Sequence, residues 1–267
     1  MTETVPSKTV FFAELVPHGR TLCEFSIRLT NIVGALSEVA SVLAKHHVNI
    51  LSGYHDADAN EWSFFADITQ IDSTLENIVK EISGLSVVSQ VILGEKVSEG
   101  LIADTLHKMV KWHSIRFIIA RVDFVRSLLQ NVKAIIGPEG KAAKVMIYTM
   151  GVAAGKQAYH QAAAYGVEYL RSHIQTLLDA YMAQGIGEFK LLSLDVEFAK
   201  ALVRVSDSFE CSSISGSSSS QSDLVRGYLA GFFSEYFGRR VEATETSCVA
   251  LGHPYCHFEI APSIAPE

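Results

Sequence analysis

The sequence has few cysteines, little charge and no long apolar run. Four cysteines in 267 residues do not make a disulfide scaffold. The net charge of −7 lacks the positive footprint of a nucleic-acid-binding protein. The longest uncharged stretch that favours a helix, 145–155, is far shorter than the roughly 18 residues of a membrane span. Residues 1–8 are polar and lack the apolar core of a signal peptide. We expect a cytoplasmic protein with no direct nucleic-acid or membrane contacts.

The remaining composition is that of a globular protein with two domains. The chain is 48% hydrophobic, which is too apolar for a disordered protein. At roughly 150 residues per domain, its length favours two domains. We predict an N-terminal tail with a first strand (1–20), a first domain (21–97), a linker helix (98–113) and a second domain (114–263).

The first domain alternates between strand and helix periodicity. Phe25, Ile27 and Leu29 alternate with polar residues, which predicts a half-buried strand. Apolar residues at helical spacing follow over 36–44, then two strands, a helix opened by a capping box at Ser73, and a fourth strand. The order is βαββαβ, which is the ferredoxin-like arrangement.

The turn after the first strand carries a family resemblance. Asn31-Ile-Val-Gly34-Ala-Leu36, followed after the helix by Asn49-Ile50, resembles the ACT domain, a regulatory module that binds amino acids. Asn31 stands where that family usually has an acid, and Val33 where it has a proline.

The resemblance implies a homodimer that binds an amino acid across its interface. Gly34 would let a carboxylate approach the backbone at the helix N-terminus. The ligand-binding residues that it implies are Asn31, Gly34, Ala35, Asn49 and Ile50. The alternative is a module that dimerises and binds nothing.

The second domain mixes helices with antiparallel strands. Gly151 and Gly155 lie four apart in an alanine-rich helix, so two backbones are expected to approach closely there. Small side chains around 150–154 also suggest a pocket beside the aromatic helix 223–237. A serine-rich stretch, 212–222, is expected to be a flexible loop. We predict helices at 122–136, 141–164, 167–184 and 223–237, and strands at 188–197, 200–210, 239–247 and 255–260.

Three ordered motifs in this region resemble the 4-vinyl reductase domain. They are Asp207-Ser-Phe-Glu210, Arg226-Gly-Tyr-Leu-Ala-Gly-Phe-Phe233, and the segment from Glu245 to Phe258. The resemblance implies helices packed on an antiparallel sheet around an apolar cavity, as in transport-particle subunits. It also implies binding of a small hydrophobic molecule. The whole chain is therefore expected to be an α+β protein.

Glu245, Cys248 and Cys256 form a candidate zinc site. Two thiolates and a carboxylate supply three ligands, and Gly252 lets the loop between the cysteines turn back. In aromatic-sensing members of the resembled family a further cysteine completes the site, and Ser222 stands at that position here. Cys211 is the substitute that we favour, and His253 and His257 are also near in sequence. The alternative is a pair of reduced cysteines without metal.

These features favour a regulatory sensor over an enzyme. The sequence shows no dinucleotide fingerprint, no phosphate-binding loop and no nucleophile with an identifiable base. We expect an amino acid in the first domain, a small hydrophobic ligand in the second, and signalling through the arrangement of the domains. The alternatives are a tetrapyrrole vinyl reductase or its accessory subunit, and a dimerising adaptor without a ligand.

Overall fold

A computed structural model describes residues 13–17, 19–95, 97–112, 115–137, 141–164, 166 and 172–263. The chain divides into two compact units, residues 1–119 (the N-terminal unit) and 120–267 (the C-terminal unit). Within the described residues, no helix has both the length and the apolar character needed to cross a bilayer.

The N-terminal unit is built on an antiparallel sheet with the strand order β3-β4-β2-β5. The elements follow in the predicted order βαββαβ, and the short strand β6, Ser98–Glu99, adds to β2. The main elements are β2 (Thr21–Leu29), α1 (Ala35–Lys45), β3 (Asn49–Asp56), β4 (Glu61–Asp67), α2 (Leu75–Ser83) and β5 (Val88–Leu93).

One face of the sheet packs on the two helices. Phe25 stacks on Phe64 with ring centroids 5.1 Å apart, and Val39 of α1 and Ile78 of α2 complete a core that excludes water. Helix α2 begins one residue later than predicted, because the hydroxyl of Thr74, not Ser73, accepts the N–H of Asn77.

The opposite face of β2 is also buried, so the prediction of a half-buried strand was wrong. Glu24 is 1% exposed and Ser26 is 2% exposed. Ile102 packs with Leu22 and Phe65 on this side, and the backbone of Thr105 contacts Glu24. The segment 101–107 therefore covers a polar face that the alternating pattern assigns to solvent.

The linker helix predicted at 98–113 is absent. Instead, β7 (Leu101–Ala103) pairs with β1 (Ala13–Leu15), and β8 (Val110–Trp112) pairs with β9 (Ile115–Phe117). Between them, Asp104 Oδ1 accepts the N–H groups of Leu106 and His107 at 3.0 and 2.8 Å. Strand pairing and this side-chain turn satisfy backbone groups that a helix would otherwise satisfy.

The C-terminal unit places helices on a four-stranded antiparallel sheet of order β10-β11-β13-β12. The mixed α and β architecture with antiparallel sheets is as expected. Its elements are α3 (Val122–Ile136), α4 (Lys141–Ala163), α5 (Ile174–Ala183), β10 (Glu188–Asp195), β11 (Lys200–Ser206), α6 (Asp223–Phe237), β12 (Val241–Ser247), a 3₁₀ turn (Val249–Leu251) and β13 (Cys256–Pro262). The first residues of the helix predicted at 167–184 lie outside the described residues.

Helices α4 and α6 pack backbone to backbone through glycines on both sides. A Cβ at Gly155 would lie 2.0 Å from the carbonyl oxygen of Tyr228, and one at Gly231 would lie 2.1 Å from that of Val152. The close approach expected from Gly151 and Gly155 is therefore present. The small residues close the gap between these helices, so the pocket expected between them is not formed.

Candidate metal centre and ligand-binding core

The four side chains of the predicted zinc site converge in the structure. Glu245 lies in β12, Cys248 follows that strand, Cys256 begins β13, and Cys211 follows the turn after β11. Gly252, with φ of 94°, reverses the chain between the two later cysteines, as its backbone freedom allows. One ligand atom from each of the four side chains lies within 4.8 Å of the others.

The spacing of the sulfurs fits metal coordination better than a disulfide. Cys211 Sγ and Cys248 Sγ are 3.7 Å apart, and all four cysteines of the chain are free and buried. A disulfide needs about 2.05 Å. Two ligands of a tetrahedral zinc ion with Zn–S bonds of about 2.3 Å lie roughly 3.8 Å apart. The donor set of three thiols and one carboxylate also suits zinc.

One oxygen of Glu245 is oriented and the other is unpaired. Ser222 Oγ donates a hydrogen bond to Glu245 Oε1 at 2.9 Å. Glu245 Oε2 is buried and has no hydrogen-bond partner among the described residues. A buried carboxylate oxygen without a partner is costly unless a cation or proton occupies it, so this atom is suited to a metal ligand.

The thiols differ in their tendency to ionise. Hydrogen bonding from the Cys211 thiol, helped by the N–H of Val249, lowers the pKa of Cys256 to about 7. The same contact with Cys256, together with burial, raises the pKa of Cys211. Burial and the neighbouring Glu245 carboxylate raise the pKa of Cys248. At neutral pH, Cys256 is therefore the thiol closest to the ionised form that binds metals.

Glu210 fixes the strand end that carries Cys211. Its two carboxylate oxygens accept the N–H groups of Leu224 and Val225 at 3.0 and 3.1 Å, at the N-terminus of α6. Burial raises the pKa of Glu210 to about 7. The last residue of the Asp207–Glu210 motif therefore has a structural role that its sequence position did not reveal.

Ser222 lies inside the cluster and ends the serine-rich loop. Its Oγ is 2.8 Å from Cys211 Sγ and 3.6 Å from Cys256 Sγ, and the residue has no exposed surface. The loop between Cys211 and Ser222 was expected to be flexible, but Lys144 Nζ binds Ser219 Oγ at 3.0 Å and the Ser220 carbonyl at 3.3 Å. Neither His253, which is exposed, nor His257 belongs to the four-ligand cluster.

A second feature of this unit is a buried tyrosine pair. The rings of Tyr181 and Tyr228 meet edge to face with centroids 5.1 Å apart, while Tyr159 and Phe232 form a similar pair at 5.7 Å. The hydroxyl of Tyr228 is buried and has no hydrogen-bond partner among the described residues. Burial raises the pKa of Tyr228, so its hydroxyl is a neutral donor.

An open groove of about 900 Å³ runs beside α4, α6 and strand β12. The guanidinium of Arg226 lies 4.3 Å from the ring centre of Tyr148, and Val152, Ala230 and Val241 contribute apolar surface. Basic and acidic side chains line it together, so it does not have the character of an enclosed apolar pocket.

The residues predicted to bind an amino acid lie in two places. Asn31 and Gly34 are exposed in the turn before α1, whereas Ala35 is buried. Asn49 and Ile50 begin β3, at the sheet edge opposite that turn, since Asn49 pairs with Asp67 and not with Glu61. At ~3.3 Å per residue, the two groups are on the order of 20 Å apart. A site that uses both groups would need a second chain.

The sequence of the C-terminal unit matches a known family. Residues 202–262 match the vinyl-4-reductase domain, and this segment contains all four residues of the cysteine cluster. No curated protein matches the chain.

Three solved structures are similar to this chain in fold. The phenol-responsive sensory domain of the transcription activator PoxR is 19% identical with a TM-score of 0.46, over 55% of this chain and 77% of that one. A vinyl-4-reductase family protein from Methanocaldococcus jannaschii is 17% identical with a TM-score of 0.35, over 55% and 98%. Trafficking protein particle complex subunit 3 from Naegleria fowleri, with covalently bound palmitic acid, is 9% identical with a TM-score of 0.43, over 53% and 95%.

Proposed function

We propose that the C-terminal unit is a small-molecule-sensing domain of the vinyl-4-reductase type whose β12–β13 hairpin is held by zinc. The observation that carries this proposal is the convergence of Cys211, Glu245, Cys248 and Cys256 inside the matched segment. When bound, zinc would supply a structural crosslink without redox chemistry. Cys211 would take the place of the family ligand whose position Ser222 occupies.

Metal analysis of the purified protein tests the zinc site. We expect one zinc per chain in the wild-type protein by elemental mass spectrometry. Cys256→Ser is expected to reduce zinc affinity at least a hundredfold, because it removes the most acidic thiol. Cys23→Ala is the matched control, since Cys23 is also a buried free thiol but lies in the N-terminal unit. Equal zinc content in both variants would contradict the assignment.

The proposed ligand is a small hydrophobic molecule with one polar atom. Support comes from the unpaired Tyr228 hydroxyl, which lies among aromatic rings and needs a hydrogen-bond partner. The rings would contact the apolar part of the ligand, and the hydroxyl would orient its polar atom.

A panel of phenols, aromatic acids and aliphatic alcohols, screened by thermal shift on the full chain, tests this proposal. A binding compound should lose at least tenfold in affinity in Tyr228→Phe, while its analogue without the polar atom should bind both proteins equally. Tyr54→Phe in the N-terminal unit is the control. If no compound in the panel shifts the melting temperature, the adaptor alternative is favoured.

For the N-terminal unit we propose an ACT-like regulatory module with the ferredoxin-like fold, which dimerises and binds an amino acid. The order β3-β4-β2-β5 supports this fold. The exposed apolar turn supports dimerisation, since Ile32 is 56% exposed and Val33 is fully exposed. Light scattering should give a dimer that Val33→Asp weakens. Calorimetry with the twenty amino acids should identify one whose binding Asn31→Ala abolishes.

The proposal is one of binding rather than catalysis. A vinyl reductase, or its accessory subunit, remains the competing function for a domain of this family. That function would be favoured by consumption of a vinyl tetrapyrrole when a reductant is supplied, and a sensor should leave both reagents unchanged.

A further inference from the structure

The covered face of the N-terminal sheet carries a second cluster of metal-ligating groups that none of the functions above uses. Glu24, Asp104 and His107 each place a ligand atom within 4.8 Å of the other two. Glu24 projects from β2, and the other two residues follow β7 in the segment that covers this face. All three belong to the N-terminal unit.

Glu24 is the deepest member, and one of its oxygens is unpaired. Oε2 accepts the N–H and the hydroxyl of Thr105 at 3.0 and 2.9 Å. Oε1 has no hydrogen-bond partner among the described residues, although the residue is only 1% exposed. The backbone makes room for this carboxyl, because a Cβ at Gly94 would lie 2.7 Å from Glu24 Oε2. The site is therefore built around an acid with a free coordination position.

His107 is held in an orientation typical of a metal ligand. Its Nε2 lies 3.0 Å from Glu61 Oε1, and Glu61 also receives the hydroxyl of Ser63 at 3.2 Å. Its Nδ1 lies 2.9 Å from Asp104 Oδ2. A carboxylate that accepts one ring N–H fixes the tautomer and directs the other nitrogen towards a metal. In this arrangement Glu61 is the orienting carboxylate, and Nδ1 faces Asp104.

The cluster has an excess of negative charge. Among the described residues, no lysine or arginine forms an ion pair with Glu24, Glu61 or Asp104, and His107 is the only basic partner of the last two. Burial raises the pKa of Glu24, and the neighbouring carboxyl of Asp104 acts in the same direction. Buried like charges of this kind are stabilised when a cation or a proton lies between them.

We propose that Glu24, Asp104 and His107 bind a divalent first-row transition metal ion, with Glu61 orienting His107. Two carboxylates and one imidazole form a harder donor set than the cysteine cluster, so the two sites select different metals. Coordination through Nδ1 displaces the proton that this nitrogen shares with Asp104, so metal binding releases at least one proton to solvent. The ion would tie the segment 104–107 to β2.

Manganese binding to the full chain, followed by electron paramagnetic resonance, tests the proposal. One equivalent of Cd²⁺ is added first, because this soft ion fills the thiol site. We expect one bound Mn²⁺ per chain, with at least tenfold weaker binding in Glu24→Gln and in His107→Gln. Asp58→Asn is the control, since it removes an exposed carboxylate of the same unit and should bind as the wild-type protein does.

The wild-type protein alone provides a second measurement, so the test survives a variant that fails to fold. Bound Mn²⁺ should show electron spin echo modulation from one histidine nitrogen. Absence of that modulation, absence of stoichiometric binding, or unchanged affinity in folded Glu24→Gln and His107→Gln would each overturn the site. None of these results depends on zinc at the cysteine cluster, so the two proposals fail separately.

Discussion

At the scale of single residues, the C-terminal unit depends on acids that lie in unusual surroundings. Glu210 accepts two backbone N–H groups at the start of α6 while it is almost completely buried. Glu245 shares its oxygens between Ser222 and an unpaired position in the cysteine cluster. Both residues belong to motifs that the sequence analysis identified, but only the structure shows what each oxygen contacts.

Glu210 should make stability depend on pH. Its pKa is about 7 in the folded protein, above the ordinary value of 4.5, so the folded state binds the proton more tightly. The stabilisation is complete below about pH 4.5 and is lost as the pH rises through 7. Relative to Glu210→Gln, the free energy of unfolding of the wild-type protein should fall by up to about 3 kcal/mol between pH 4.5 and 8.

Denaturant unfolding of both proteins at equal zinc concentration measures this difference, because protons linked to the metal are common to both. Glu188→Gln removes an exposed acid and should change nothing. Parallel pH profiles for the wild-type protein and Glu210→Gln would show that Glu210 has an ordinary pKa.

Ser222→Ala should weaken zinc binding without abolishing it. The variant removes the hydrogen bond that orients Glu245, and the loss of such an outer contact lowers metal affinity by roughly 10–100-fold. Competition with a chromophoric chelator gives the affinity. Ser213→Ala, in the exposed part of the same loop, is the control. A larger loss, to the level of Cys256→Ser, would mean that Ser222 itself is a ligand.

At the scale of elements, the pairing of α4 with α6 is the feature most sensitive to small changes. Gly→Ala within a free helix stabilises it by about 1 kcal/mol. At Gly155 the added Cβ would collide with the Tyr228 carbonyl, so Gly155→Ala should instead destabilise the protein by about 2 kcal/mol or more. Ala154→Gly, on the exposed side of α4, should cost only about 1 kcal/mol. Denaturant midpoints distinguish these outcomes, and a stabilised Gly155→Ala would contradict the observed packing.

The elements that the sequence predicted well are those whose periodicity reflects one buried face. Helices α3 and α6 have the predicted bounds, and the order of elements in the N-terminal sheet is as expected. The segment 98–113 was mispredicted because its apolar residues fit a helix, while the pairing of β7 with a strand far away in sequence decided its structure. Local patterns do not contain such pairings.

The candidate sites divide in the same way. Glu245, Cys248 and Cys256 are close in sequence and were found from their spacing, and Cys211 was found as a substitute ligand. Glu24 and Asp104 are brought together only by the covering of a sheet face that the alternating pattern assigns to solvent. The ACT-like residues Asn31 and Asn49 remain a prediction that depends on a second chain.

At the scale of the whole molecule, the two units have separate cores and the cysteine cluster belongs to one of them. Removal of zinc with a chelator should therefore loosen the C-terminal unit selectively. Hydrogen exchange of the full chain should rise by at least tenfold in β12, β13 and the start of α6, and stay unchanged in β2 and β4. Equal increases in both sheets would show that the units do not unfold independently.

The serine-rich loop begins at Cys211 and ends at Ser222, so both of its ends are anchored in the same cluster. The free energy of closing a loop grows slowly with length, by about 0.6 kcal/mol for each doubling. Its exposed portion around Ser215 and Gly216 therefore has room for extra residues. A short peptide tag or a fluorophore attachment site inserted there would report on the metal centre from outside it.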